Sequence, residues 1–271
     1  MYKPEIILEG APNARDMGGI EASDGRKVRK NRLIRSGAIR FLSDADVEYL
    51  KAAGLKKVID FRTSQERYEK PDRVIEGVEY ILCPILPDKT DGITREAPDT
   101  ELGEALRTIS MAKRLMAHHS DGRAQMKSLY PLFVSLDHAT EHLAEFFRIL
   151  LDTEEGAVLF HCSMGKDRAG TAAALLLAAL GVPRESIVAD YLITGERCAP
   201  GTERLLENCR KFTDDEAVLE YIYLLDIVEA GFINSAFEKI DELYGSIEYF
   251  LRDKMLLDDE KLNRLKDLYL E

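Results

Sequence analysis

Apolar positions along the chain follow two periods. Short β-rich runs recur near Glu5 to Glu9, Lys27 to Ser36, Lys57 to Phe61, Glu79 to Ile85 and Ala157 to His161, and helical spacing follows several of them. Ser43, acidic Asp44 and Asp46, apolar Val47 and Leu50, and Gly54 together predict a capped helix that leads straight into the Lys57 to Phe61 strand. Between Pro87 and about Leu136 the strand signal vanishes. Helix-prone segments Glu101 to Met116 and Arg123 to Leu136, broken by Gly92, Pro98, Gly122 and Pro131, predict an inserted helical subdomain over about 88–136. Pro183 suits the first turn of a helix, and from there the chain reads as helical, with Ser246 and Asp258 as caps of the last two helices. The pattern is that of an α/β chain with a helical layer on a sheet.

The 271 residues suit one or two domains, and the absence of repeats or Gly/Ser linkers favours a single domain over 1–271. Lys plus Arg is 37 against 49 Asp plus Glu, a net charge of −12, which argues against nucleic acid as a partner. An anionic ligand must therefore meet local positive potential. Met1 to Gly10 lacks the pattern of a secretion signal and no run reaches the ~18 apolar residues of a membrane span, so the expectation is a cytoplasmic protein without stable membrane insertion. Cys83, Cys162, Cys198 and Cys209 have neither the pairing of a disulfide framework nor that of a zinc ribbon, so reduced thiols are expected.

One of those thiols stands in a chemically informative place. The apolar run Ala157 to His161 passes through Cys162, Ser163, Met164, Gly165, Lys166 and Asp167 to Arg168, then enters an Ala/Leu-rich helix closed by Gly181. A thiol between a strand end and a helix start sits where backbone N–H groups converge and the positive helix end points. Such surroundings lower a cysteine's pKa from ~8.5 to roughly 3.5–7.5, which predicts Cys162 as a nucleophile. Six positions on, Arg168 offers a planar fork for two phosphoryl oxygens. Gly165 lets the backbone bend close to the anion, and His161 is placed to hydrogen-bond the loop. A Walker A loop would need Gly at Phe160 and Ser or Thr at Asp167, and a hydrolase elbow would need Gly-x-Ser-x-Gly; neither is present.

The run from His161 to Arg168 resembles the signature HCxxGKDR, followed by Thr or Ala and then Gly, of bacterial Cys-dependent tyrosine phosphatases with phosphoinositide activity, the PtpB type. Asn13 to Gly19 is similar to that family's NxRDxGG, Arg35-Ser36-Gly37 to its RSG, Asp60 to Arg62 with Glu66 to its DxR segment, and Tyr244-Gly245-Ser246 to its YGS. The resemblance implies a phosphatase fold with a mostly parallel central sheet, flanking helices and a helical lid, to which the 88–136 insertion would correspond. It also implies phosphate monoester hydrolysis through a phosphocysteine, without metal or other cofactor, on phosphotyrosine (with phosphoserine/threonine as an extension) and phosphoinositides. Cys162 would be the nucleophile and Arg168 the phosphate clamp, with Ser163, Met164, Gly165, Lys166, His161, Arg35 and Asp60 around the substrate. The chain departs from many Cys phosphatases at Ala169, where Ser or Thr is usual; Thr171 is the nearest hydroxyl. A rhodanese-type sulfurtransferase and a weak phosphate-binding module are the competing readings.

Four aspartates are candidates for the general acid: Asp167 in the loop, favoured also by the resemblance, Asp60 at a strand end, and Asp88 and Asp91 at the start of the insertion. Asp60 is equally a structural partner for Arg62 or Arg15, and Arg15 with Asp16 is expected to hold the N-terminal segment or to form an internal pair. Lys166 beside Arg168 suggests substrates with more than one phosphate. Arg26 to Arg40, seven basic residues without an acid, forms either an attractive rim that includes Arg35 or a solvated hairpin. His138 and His142 have i, i+4 spacing but lack the Glu of HExxH. Cys83 is either a buried thiol or a disulfide partner of Cys162 under oxidation.

Overall fold

A computed structural model describes residues 8–87, 100–119 and 121–271. Among them five strands form one sheet: β1 (Arg15–Asp16), β2 (Leu33–Ser36), β3 (Leu55–Asp60), β4 (Glu79–Leu82) and β5 (Ala157–His161), in the order β1-β2-β5-β3-β4. β1 runs antiparallel to β2 and the other pairings are parallel. The central strand is β5, and Ser36 and Asp60 stand in register with His161 on either side, so three strand ends converge just before Cys162.

Side chains of β5 alternate between two cores, as the pleat requires. Val158 and Phe160 join a large core with Ile59 and Phe61, whereas Ala157 and Leu159 join a smaller one with Ile34, Val58 and Leu50. The smaller core is covered by α1 (Asp44–Ala52), whose Ser43 and Asp46 form a reciprocal capping box. α2 (Ser64–Glu69) carries the same device at Thr63 and Glu66. On the other face lie α5 (Asp137–Leu151) and the almost wholly buried α6 (Asp167–Ala179), whose run of Ala and Leu suits a helix surrounded by protein. α7 (Arg184–Arg210), α8 (Glu216–Asp226), α9 (Ala230–Tyr244), α10 (Ile247–Asp253) and α11 (Asp259–Tyr269) complete the helical layer, with Ser246 and Asp258 capping the last two.

Several expectations change. The strand expected from Lys27 is confined to Leu33–Ser36, and Leu8 and Glu9 lie outside any strand. The insertion provides α3 (Glu101–Met116) and α4 (Gly122–Ser135), and these bury Ala105, Ile109, Tyr130 and Phe133 in the large core against α7, α8 and α9. Over its described residues the insertion thus packs into the main helical layer. Pro131 does not break α4. It leaves the Lys127 carbonyl without its helical donor, and the Ser235 hydroxyl of α9 donates to that oxygen at 2.9 Å.

Candidate active site

Cys162 leaves the C-terminal end of β5, where open parallel sheets place their ligand sites. The turn that follows is shaped by Gly165, whose φ of 66° lies in the left-handed region. A Cβ there would stand 2.5 Å from the Ser36 carbonyl carbon and 2.7 Å from the Gly37 nitrogen, so the position requires glycine on both counts. The Ser163 carbonyl accepts from the Ala38 N–H at 3.0 Å, which fastens the loop to the segment after β2. No side chain caps α6, so its first N–H groups remain at the loop. Met164 is half-buried next to Gly37.

The Arg168 guanidinium is buried and forked onto one carboxylate. Nη1 donates to Glu66 Oε2 at 2.6 Å and Nη2 to Oε1 at 2.9 Å. The same carboxylate accepts the Ser163 hydroxyl at 2.6 Å and the Thr63 N–H at 3.0 Å. Burial alone would raise the Glu66 pKa, but the Arg168 charge and these hydrogen bonds outweigh it and hold the group at about 2. Glu66 therefore caps α2 and aims Arg168 at once. Glu66 stood out in the sequence only beside the DxR segment; the Thr63-x-x-Glu66 spacing is the signal that could have marked it as a cap, but nothing local marks its hold on Arg168, 102 positions away.

Beneath the loop lies a second cluster. Arg15 donates from Nε to Asp190 Oδ1 at 3.0 Å and Arg35 from Nη1 to Asp190 Oδ2 at 2.9 Å, with all three side chains buried. Arg35 Nη2 and Asn13 Nδ2 both donate to the Gly165 carbonyl, at 2.9 and 2.8 Å. Arg15 also reaches Asn13 Oδ1 at 2.5 Å and Thr194 Oγ1 at 3.2 Å. Burial and the neighbouring Arg15 lower the Arg35 pKa to about 10, opposed by Asp190 and by Cys162. Arg35, expected on the substrate, instead grips the loop from below, and the partner of Arg15 is Asp190 rather than Asp16. Asp16 accepts from the Gly18 and Asn31 N–H groups. Asp190 carried no sequence signal, because only the fold brings α7 against β1 and β2.

On the far side of β5, His161 Nδ1 lies 3.1 Å from the Cys162 carbonyl oxygen and Nε2 lies 3.2 Å from Asp72 Oδ2. Burial opposes the imidazolium, but Asp60 and Asp72 prevail and raise the His161 pKa. Asp60 is held by Arg62, which donates to both its oxygens, and Arg62 also bonds Asp72 at 2.7 Å. This corrects the reading of Asp60 as a substrate or acid residue: it is the structural partner of Arg62. Asp60, Asp72 and His161 present ligand atoms within 4.8 Å of one another, a metal-type donor set, but Arg62 already supplies the cation that both carboxylates bind. Asp88 and Asp91 lie outside the described residues.

Lys166 also departs from expectation. Its ammonium donates to the Leu225 and Asp226 carbonyls at 2.8 and 3.1 Å, closing the C-terminal end of α8, and is not a free charge beside a phosphate. Asp167 remains partly exposed and accepts the Tyr130 hydroxyl at 2.6 Å. Cys83 donates to the His142 carbonyl, and burial pushes its pKa up to about 12; Cys198 and Cys209 are pushed to about 11 in the same way. His138 and His142 have ring centroids 4.3 Å apart and planes tilted by 40°, and belong to no metal-type cluster among the described residues. Thr171 is buried.

A parallel sheet that delivers a buried cysteine and, six residues later, a carboxylate-braced arginine at a helix start defines a Cys-x5-Arg loop of the phosphatase class. The chain belongs to the tyrosine phosphatase family, whose profile matches residues 6–271, and is a protein-tyrosine phosphatase. It is 31% identical over 260 residues to a Cupriavidus necator protein assigned as a tyrosine-protein phosphatase, covering 95% of this chain and 86% of that one. It is 29% identical over 287 residues to the triple specificity protein phosphatase PtpB of Mycobacterium tuberculosis, covering 97% and 98%. The solved structure of P. aeruginosa TpbA aligns with 72% of this chain and 89% of its own at 16% identity and a TM-score of 0.30.

Proposed function

We propose that the protein hydrolyses phosphate monoesters through a phosphocysteine formed on Cys162. The observation that carries this is the Arg168 fork, buried and braced by Glu66 at the mouth of the turn that begins with Cys162. The Cys162 thiolate attacks phosphorus, and the P–O bond breaks with its electron pair leaving on the ester oxygen. That oxygen takes a proton from the Asp167 carboxyl. Water then attacks the phosphocysteine, gives a proton to the Asp167 carboxylate and releases inorganic phosphate as the thiolate re-forms. Arg168, with the N–H groups at the start of α6, bears the charge spread over the equatorial oxygens. Asp167 takes the acid role because it lies within the loop and is partly exposed, whereas Asp60 is tied to Arg62.

Phosphotyrosine is the first substrate of this reading. Breadth toward phosphoserine, phosphothreonine and phosphoinositides rests on the near full-length match to a relative named for triple specificity, not on Lys166, whose charge is engaged at α8. Cys162→Ser is expected to abolish p-nitrophenyl phosphate turnover while vanadate still binds, and Arg168→Lys to lose both. Turnover retained in Cys162→Ser overturns the mechanism.

A further inference from the structure

Two tyrosines from different helices meet at Asp167. Tyr130 of α4 and Tyr191 of α7 are 0% and 1% exposed, their rings cross edge to face at 6.0 Å, and their hydroxyls are in hydrogen-bond contact. Tyr130 also donates to Asp167 Oδ1 at 2.6 Å. A phenol has a single proton. Because the Tyr130 proton lies on Asp167, the contact between the two hydroxyls is completed by the Tyr191 proton, and the order of donation is Tyr191 to Tyr130 to Asp167. Burial, then the Asp167 charge, raises the Tyr130 pKa well above its usual value, so this chain of donors stays protonated throughout the working pH range. The pair is sealed from water, whereas Asp167 itself reaches the surface.

We infer that Tyr130 and Tyr191 are positioning residues that hold the Asp167 side chain in place for proton transfer. The inference rests on Asp167 being the acid and base of the reaction. A hydrogen bond made in a site closed to water is worth more than one at the surface, so the pair fixes Oδ1 and leaves the other carboxyl oxygen to face the reacting groups. Other groups face Asp167 as well. Lys166, with its ammonium 3.9 Å away, and Arg168 share its element. Cys162 at the end of β5 and Cys198 of α7 lie within electrostatic reach of the same loop, and Arg35 of β2 lies beside Tyr191. None of these is altered by removing a phenol oxygen.

The test compares kcat/KM for phenyl phosphate, a poor leaving group, with that for p-nitrophenyl phosphate, a good one, in the wild type, Tyr130→Phe, Tyr191→Phe and Asp167→Asn. Tyr130→Phe is expected to lower the phenyl phosphate value roughly tenfold while largely sparing p-nitrophenyl phosphate. Tyr191→Phe, which only deprives Tyr130 of its donor, should act in the same direction by less. Asp167→Asn should give the largest selective loss. If Asp167→Asn is selective for the poor leaving group and Tyr130→Phe is not, the relay is wrong and the acid assignment stands. If Asp167→Asn slows both esters equally, the acid assignment fails and the relay with it. Should Tyr130→Phe fail to fold, Tyr191→Phe carries the same test, since it leaves the bond to Asp167 in place.

Discussion

Glu66 and Asp190 both hold arginines against the same loop, yet they do so with opposite charge balance. Glu66 meets Arg168 one to one at the face of the turn, and the pair is neutral. Asp190 meets two arginines under the turn, so two guanidiniums against one carboxylate leave one unit of positive charge among side chains that are 0–3% exposed. A buried excess charge is expensive unless something balances it. Apart from Asp190, Arg35 feels the charge of Cys162, so the proposed thiolate, and then the bound phosphate, is the natural counter-ion. Under the proposed mechanism one carboxylate thus aims an arginine at the substrate, while the other props the loop and leaves charge over for the nucleophile.

The sharpest way to break this contrast is to neutralise each carboxylate. Asp190→Asn keeps the shape but strands two buried guanidiniums, and is expected to lose about 3–5 kcal/mol of stability by urea unfolding at neutral pH. Glu66→Gln strands one guanidinium beside the opening and should lose less stability, but it frees Arg168 and should cut kcat/KM on aryl phosphates by roughly 10–100-fold. Glu66 also gives an acid signature. Its folded value of about 2 lies below the ordinary 4.5, so the pairing stabilises fully above about pH 4.5 and is lost as the pH falls through about 2. The size is roughly 3 kcal/mol at 1.36 kcal/mol per unit. Urea midpoints for wild type and Glu66→Gln should therefore converge between pH 4.5 and pH 2; parallel curves would remove Arg168 as the cause.

Arg35→Met sharpens the other half. It leaves Arg15 and Asp190 as a matched pair, so its stability loss should be smaller than that of Asp190→Asn. A cluster without excess charge would give the reverse order. Removing the cation should also slow alkylation of Cys162 by iodoacetamide at neutral pH by roughly tenfold. An unchanged alkylation rate would leave Arg35 as a brace for Gly165 and nothing more.

The contrast between the two carboxylates shows why only part of the site was legible in the sequence. Cys162, Gly165 and Arg168 lie within seven consecutive positions, so their chemistry is local and the pattern of strand, turn and helix places them. The caps at Ser43, Ser246 and Asp258 were legible for the same reason. Asp190, Tyr130 and Tyr191 act across 37 to 175 positions and look like ordinary helix residues until the fold joins them to the loop. Lys166 misled in the other direction: its neighbours in sequence suggested a phosphate, but the end of α8 packs against it and takes the charge. Pro131 misled as a helix break because its cost depends on whether the freed carbonyl finds another donor, and Ser235 of α9 supplies one across 108 positions.

The smallest effect is expected where arginines stand in water. From Arg26 to Arg32 the basic run is engaged by the chain's own groups: Arg26 pairs with Asp24, Arg29 donates to the Leu270 carbonyl at 2.7 Å, and Arg32 donates to the Thr153 carbonyl at 3.1 Å. Lys27 is 55% exposed and 3.8 Å from Glu21. Exposed pairs of this kind are screened by solvent and salt and contribute little. Were the run an attractive rim for polyanionic substrates, Arg26→Ala with Lys27→Ala would lower activity on a phosphoinositide more than on a phosphotyrosine peptide, and the loss would shrink with added salt. The positions found instead lead to an unchanged ratio of the two activities at low and high salt, with no resolvable shift in Tm. A selective loss on the lipid at low salt would return this run to the substrate path and make its field the source of any lipid preference.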